Sequence, residues 1–321
     1  EDIIRGLAAP ETLGVEAAGL HGLIIRLRSP TPYLLGLLTH STTYPVHQPT
    51  VEQFGDRFAR AGNLVGNGAY RLEEWAVQSH VKLARNTHYW DDANTTIDEV
   101  HFLPIENQDS ELKRYRAGEL DITEAVPYNQ LGWIRENLGD ELVIAPYLGS
   151  YYFGFNVTRE PFLNQPDLRK ALALAIDRDI IVERITGAGE IPAYTWIPPF
   201  EGYASPVPEW AGWTQAEREA EARRLYAQAG YSDENPLTVE MLYNTSENHK
   251  RICAAIAAMW KKTLGVRTNL ANQEWKVFLT TRAARQITQV YRDGWIGDYN
   301  DPFTFAQLMS SDNELNYSGY H

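Results

Sequence analysis

Residues 237–284 read LTVEMLYNTSENHKRICAAIAAMWKKTLGVRTNLANQEWKVFLTTRAA, and the order of elements in this stretch decides the fold class. LTVEMLYN (237–244) is rich in branched and aromatic residues and predicts a strand. ENHKRICAAIAAMWKKTLG (247–265) carries an apolar stripe at helical spacing. VRTNLAN (266–272) predicts a second strand and QEWKVFLTTRAA (273–284) a second helix. Parallel strands need a crossover between them, so this βαβα rhythm predicts an α/β domain with partly parallel strands.

The chain on either side fits the same class. TQAEREAEARRLYAQAG (214–230) has Thr214 and Glu217 at capping-box spacing and Gly230 where a left-handed residue ends a helix. LRKALALAIDRDIIVERIT (168–186) predicts one helix ending at Gly187. Between these helices lies a Pro-rich loop, WIPPFEGYASPVPEW (196–210). PYLGSYYFGFNVT (146–158) predicts a strand whose aromatics alternate faces. QDSELKRYRAGELDIT (108–123) predicts a helix stopped by Gly118 and then a strand. AYRLEEW (69–75) and HVKLARN (80–86) predict neighbouring antiparallel strands, TIDEVHFLPI (96–105) another, and residues 19–40 a short strand, a proline turn and a short helix.

Composition narrows function by exclusion. A chain of 321 residues that is 44% hydrophobic and 22% charged is not a disordered one. Its net charge of -13 argues against a nucleic-acid partner and against docking on anionic lipid. Nine Trp and eighteen Tyr are compatible with a core, or with surfaces where a ring meets a ligand. The single cysteine, Cys253, sits on the apolar helical stripe and is expected to be a small core residue. No apolar run is long enough to span a membrane. The opening EDIIRGLAAP has no basic segment leading into an apolar core, so no signal peptide is expected within this chain.

No metalloprotease, nucleophile-elbow, phosphate-loop or dinucleotide motif occurs, and no metal or cofactor is expected. Acid pairs such as Asp91 and Asp92, or Asp298 and Asp301, leave open a glycosidase or sugar-binding protein using the aromatics. Asp298 lies in RDGWIGDYNDP (292–302). Asp301 precedes Pro302 and reads as a turn residue. Asp298 reads either as a solvated loop acid or as an anchor for something cationic.

Several stretches, taken together, resemble one family. LARNTHYW (83–90), FLPI (102–105), RYRAGELDIT (114–123), RKALALAIDRDIIV (169–182), YNTSENHK (243–250), NQEWKVFL (272–279) and GWIGDYNDP (294–302) are similar, in order and spacing, to the periplasmic oligopeptide-binding proteins, the peptide-capturing subunits of ABC importers. The resemblance implies a two-lobed α/β fold of the periplasmic-binding-protein type with mixed sheets and an inserted domain. On that pattern residues 1–46 are the end of the inserted domain, 47–148 a middle segment of the core lobe and 149–321 most of the closing lobe. The chain is then expected to be truncated at both ends. The resemblance also implies a monomeric, non-enzymatic periplasmic protein that binds short peptides and partners an ABC permease in the inner membrane.

Carried over residue by residue, the resemblance implies that Asp298 pairs with the free α-ammonium of a peptide. The backbone of Gly294 and Ile296 then bonds to the peptide as an added strand. Trp275 and Trp295 would wall side-chain pockets, with a core role the alternative. Arg282, Arg292 and His249 would receive the peptide carboxylate, with surface solvation the alternative, and Tyr147 and Tyr152 would lie near the hinge side of the cleft. Two departures stand out. Gly154 replaces a pocket-wall glutamate, which weakens any preference for basic side chains, and Gly149 with Ile296 replaces a cysteine pair bridged in enteric relatives.

Overall fold

Thr214 opens the best-specified helix of the chain. Its hydroxyl accepts from the Glu217 N–H at 3.3 Å, while Glu217 Oε2 accepts from the Thr214 N–H at 2.7 Å. Those reciprocal bonds satisfy donors that a helix start leaves orphaned. The computed structural model describes residues 2–3 and 5–321. Its described residues hold nine strands, β1 (Val15–Ala18), β2 (Gly22–Ile25), β3 (Tyr70–Ala76), β4 (His80–Arg85), β5 (Glu99–Phe102), β6 (Gly149–Phe155), β7 (Thr238–Asn244), β8 (Arg267–Gln273) and β9 (Val290–Ile296). The helices are α1 (Leu34–Leu37), α2 (Gln48–Phe54), α3 (Gln108–Arg116), α4 (Leu131–Asn137), α5 (Pro166–Leu174), α6 (Arg178–Ile180), α7 (Gln215–Gln228), α8 (Glu247–Leu264), α9 (Trp275–Ala284) and α10 (Phe303–Ala306).

The chain divides into two compact units. One comprises Glu1–Tyr44 with Asp298–Asp301, the other Pro45–Gly297 with Pro302–His321. The smaller unit contains the antiparallel β1–β2 hairpin and α1. The larger holds a three-stranded antiparallel sheet in the order β3-β4-β5 and a four-stranded mixed sheet in the order β6-β9-β7-β8. In the mixed sheet β7 and β8 run parallel, joined by α8 as the βαβ pattern requires.

One face of the mixed sheet builds the main core. Val239, Met241, Tyr243 and Val290 pack against Leu168, Leu172, Ala222, Leu225, Ile252, Ile256 and Trp260. The Trp260 indole N–H donates to the Leu172 carbonyl at 2.8 Å, so α8 and α5 are joined by a polar bond inside an apolar layer. Cys253 is fully buried in this layer, and burial pushes its thiol up to about 12. A reductant is therefore expected to leave the melting temperature unchanged, and a drop under dithiothreitol in a thermal scan would reveal an unforeseen bridge.

Two expectations change. The single helix expected over 168–186 is broken, with α5 ending at Leu174 and α6 running on into a π-helical turn, Ile181–Thr186, that ends at a left-handed Gly187. Asp177 causes the restart, because its carboxylate accepts from the Ile180 N–H at 3.1 Å and caps the second piece. Arg178 covers the break by donating to the Ala173 and Ile176 carbonyls. The strand expected after Gly118 does not form. No described strand lies beside residues 119–123 to give it a ladder, and Ile122 is 84% exposed.

Candidate functional site

Strand β9 is paired unequally along its two sides. It runs antiparallel to β6 over its full length, from Phe155↔Val290 to Gly149↔Ile296. On its other side β7 meets it only at Met241↔Val290 and Leu242↔Tyr291. Beyond Tyr291, β9 has β6 alone as a ladder neighbour among the described residues.

The register fixes which backbone groups that leaves open. The Asn156 N–H donates to the Gln289 carbonyl at 2.9 Å, and the Gly297 N–H to the Leu148 carbonyl at 2.8 Å. Residues facing β6 with hydrogen bonds are thus the odd-numbered ones, since bonded and non-bonded pairs alternate in an antiparallel ladder. The even-numbered residues Arg292, Gly294 and Ile296 aim their backbone groups away from β6. The Gly294 N–H is partly taken by the Asp293 carboxylate at 2.9 Å.

Alternation also sorts the side chains. Arg292 shares a face with Tyr151 and Phe153, its guanidinium carbon lying 4.7 Å from the Tyr151 ring centre and its Nη1 donating to Asn244 Oδ1 at 3.2 Å. Its Nε is buried with no acceptor among the described residues. His249, in the first turn of α8, reaches the Tyr151 hydroxyl at 3.2 Å through Nδ1. Burial first, and Arg292 second, push His249 down to about 3, so at neutral pH it is an uncharged hydrogen-bonding group.

On the opposite face Asp293 accepts from Arg282 of α9, and both side chains are almost fully enclosed. Arg282 also lies 4.0 Å from the centre of the Tyr317 ring. Burial raises the Asp293 carboxyl above the usual carboxylate range against the pull of Arg282, the Gly294 N–H and the Tyr152 hydroxyl. Tyr152 packs edge-on against Trp196 at 4.6 Å, and burial followed by Asp293 raises its hydroxyl. The structure therefore commits Arg282 to a buried ion pair, for which the sequence pattern gave no partner.

The remaining residues are more scattered. The Trp295 indole N–H donates to Thr304 Oγ1 at 3.2 Å. Trp275 is half exposed and stacks on Phe278 at 5.9 Å, and Tyr147 is 76% exposed. Asp298 belongs to the smaller unit, where His40 Nε2 lies 3.7 Å from its Oδ1.

Both glycine departures have a visible consequence. A Cβ at Gly149 would stand 2.7 Å from Ile296 Cδ1, so the isoleucine fills the space across the pair. At Gly154 a Cβ would fall 2.3 Å from Tyr291 Cζ, because the phenol end of that buried side chain lies against the glycine. Gly154→Ala is expected to cost about 1–3 kcal/mol through overpacking, read as a lower urea midpoint. An unchanged midpoint would mean that Tyr291 moves freely. Tyr151, Asn244, Tyr291 and Asp293 were not readable as site residues from the sequence, since only cross-strand register and packing bring them together.

Comparison with known proteins gives a consistent set of relatives. The model for bacterial extracellular solute-binding proteins, family 5 Middle, matches residues 5–317. The periplasmic oligopeptide-binding protein OppA of Salmonella typhimurium is 42% identical over 100% of this chain and 59% of its own length. The periplasmic murein peptide-binding protein MppA of Escherichia coli is 40% identical over 99% of this chain, again 59% of its own. The solved structure of the latter gives a TM-score of 0.94 at 40% identity, covering 99% of this chain and 62% of that one. Haemophilus influenzae OppA in complex with the peptide RPPGFSPFR gives 0.93 at 37% identity, covering 99% and 63%. The mixed α/β fold matches that of these two-lobed periplasmic binding proteins, and the chain spans about 59% of the length of the curated relatives.

Proposed function

We propose, from the premise that this chain belongs to family 5 of the bacterial extracellular solute-binding proteins, that it captures short peptides in the periplasm for delivery to an ABC permease of the inner membrane. It does so without catalysis or a cofactor, as a monomer. The observation that carries this reading is the half-paired strand β9, whose even-numbered backbone groups beyond Tyr291 face away from β6. An extended peptide completes such a ladder through its main chain, which is indifferent to side chains and accepts many sequences.

Asp298, two residues beyond Ile296 in the chain, takes the peptide's α-ammonium. A desolvated ammonium needs a fixed counter-charge to leave water. The Arg292 Nε supplies a donor for the peptide carboxylate, and neutral His249 assists as a hydrogen-bond donor rather than as a cation. Trp275, Trp295, Tyr147 and Tyr152 offer aromatic surface to side chains. Segments 1–46, 47–148 and 149–321 take the roles of inserted-domain end, core-lobe segment and closing lobe.

Relatives support peptide over sugar, since the names quoted above are those of peptide-binding proteins. Among the described residues no helix is long and apolar enough to cross a membrane, and no cluster suits a metal ion. Calorimetric titration of the full-length protein tests the reading. Trialanine is expected to bind saturably, whereas trialanine N-methylated at its central amide binds at least tenfold more weakly. Equal affinities would remove strand addition as the binding mode.

A further inference from the structure

Resting on the reading that residues 47–148 and 149–321 belong to a core lobe and a closing lobe, we infer that Asn248 is a positioning residue for ligand capture. Its carboxamide latches residues 126–128 of the first segment onto the first turn of α8 in the second, and so sets affinity without touching the ligand. Asn248 is 7% exposed. Its Oδ1 accepts from the Tyr128 N–H at 3.1 Å, and its Nδ2 donates to the Val126 carbonyl at 3.1 Å. A backbone N–H can only donate and a carbonyl can only accept, so these partners fix which way the carboxamide faces. Pro127, between them, has no N–H to satisfy. One side chain thus does for this stretch what a neighbouring strand would do.

The same part of the first segment meets the second at other points. Arg135 Nη2, in α4, donates to the Gly187 carbonyl at 2.7 Å. Tyr128 packs against the main core. Burial first, then Glu190, push its hydroxyl up to about 12, with the Arg292 charge pulling the other way. Tyr128 is therefore an uncharged ring within reach of the guanidinium whose Nε has no acceptor among the described residues. Asn248 is also next in the chain to His249, which bonds the Tyr151 hydroxyl beside the same guanidinium. Seating residues 126–128 on α8 thus completes the surroundings of Arg292.

A latch between lobes differs from an ordinary core bond in which state it stabilises. With the segment seated, loss of the carboxamide leaves the Tyr128 N–H and the Val126 carbonyl without a partner. With the segment released, both bond to water. The two bonds therefore favour the seated form alone, and a ligand that needs that form binds in proportion to its population. At 40% identity, the unliganded open form of MppA gives a TM-score of 0.63 to this chain, against 0.94 for the other MppA structure. Those two MppA structures thus differ from each other over the part that this chain matches.

The test uses the full-length wild type and N248L, which keeps a similar side-chain volume and removes both bonds. Hydrogen exchange at the Tyr128 amide, read by mass spectrometry, is expected to be fast in the empty wild type and slowed about tenfold or more by saturating trialanine. N248L is expected to bind trialanine about ten- to a hundredfold more weakly, chiefly through faster dissociation, with its ligand-free urea midpoint near that of the wild type. Wild-type affinity in N248L, or a loss of affinity matched by an equal loss of ligand-free stability, would make Asn248 a fixed core bond and overturn the inference. The exchange measurement needs no variant, so it decides the matter even if N248L does not fold. If the wild type does not bind trialanine, the reading of peptide capture falls, and this inference with it. If it binds and the Tyr128 amide is protected equally with and without the peptide, only the inference about Asn248 falls.

Discussion

Asp298→Ala in the full-length protein is expected to lower affinity for a free tripeptide by roughly a hundredfold to a few thousandfold. The reason is the position of the charge. On the proposed reading, removing the carboxylate leaves the ligand's ammonium out of water without a partner, which typically costs about 3–5 kcal/mol, and every 1.4 kcal/mol is about tenfold in affinity. N-acetyl trialanine should fail against wild type for the complementary reason, since its blocked terminus brings a neutral amide where the reading requires an ammonium. Titration calorimetry reads both limbs. Should the variant bind trialanine as tightly as wild type, Asp298 is a solvated loop acid.

Arg282→Met is expected to act on stability first, losing about 3–5 kcal/mol in urea unfolding, because it strands Asp293 in a buried site. The sign of the pH response distinguishes this from ordinary loss of packing. Burial already raises the folded-state Asp293 carboxyl, and loss of the guanidinium raises it further. A carboxyl raised in the folded state favours folding below its unfolded value, and that contribution is lost as the pH rises through the folded value. The variant should therefore regain part of its deficit as the pH falls toward about 4. A deficit that is constant with pH would show that Asp293 is not the stranded group.

These predictions separate what the sequence displays from what it conceals. The capping box at Thr214 and Glu217 is legible because both partners lie within one helical turn. The βαβ unit from β7 through α8 to β8 is legible because two periodicities alternate over a short stretch. The helix break at Asp177 is also local, yet an unbroken apolar stripe masks it, and only the Asp177 cap and the Arg178 bonds expose it. The missing strand at 119–123 fails for another reason: a strand needs a neighbour, and neighbours are set by the whole chain.

Apart from the residues that the family resemblance supplies, the candidate site was legible only in its backbone. GWIG marks an extended segment with close-approach glycines, but nothing in it says which carbonyls face outward. That follows from the register against β6, over a hundred residues earlier in sequence. Likewise Arg282 looks like any helix-end arginine until packing delivers Asp293, and Gly154 looks like a loss of chemistry until Tyr291 is seen lying on it.

The half-paired strand has a cost when no ligand is present. Backbone groups without a ladder partner along an extended chain will pair with any compatible strand, including the same strand of another copy, so this side of β9 is a seed for self-association. The net charge of -13 opposes that encounter by keeping copies apart at low ionic strength. Salt screens this repulsion while leaving the unbonded groups untouched. High salt is thus the condition under which oligomers should accumulate, and on the proposed reading a saturating peptide should suppress them by completing the ladder.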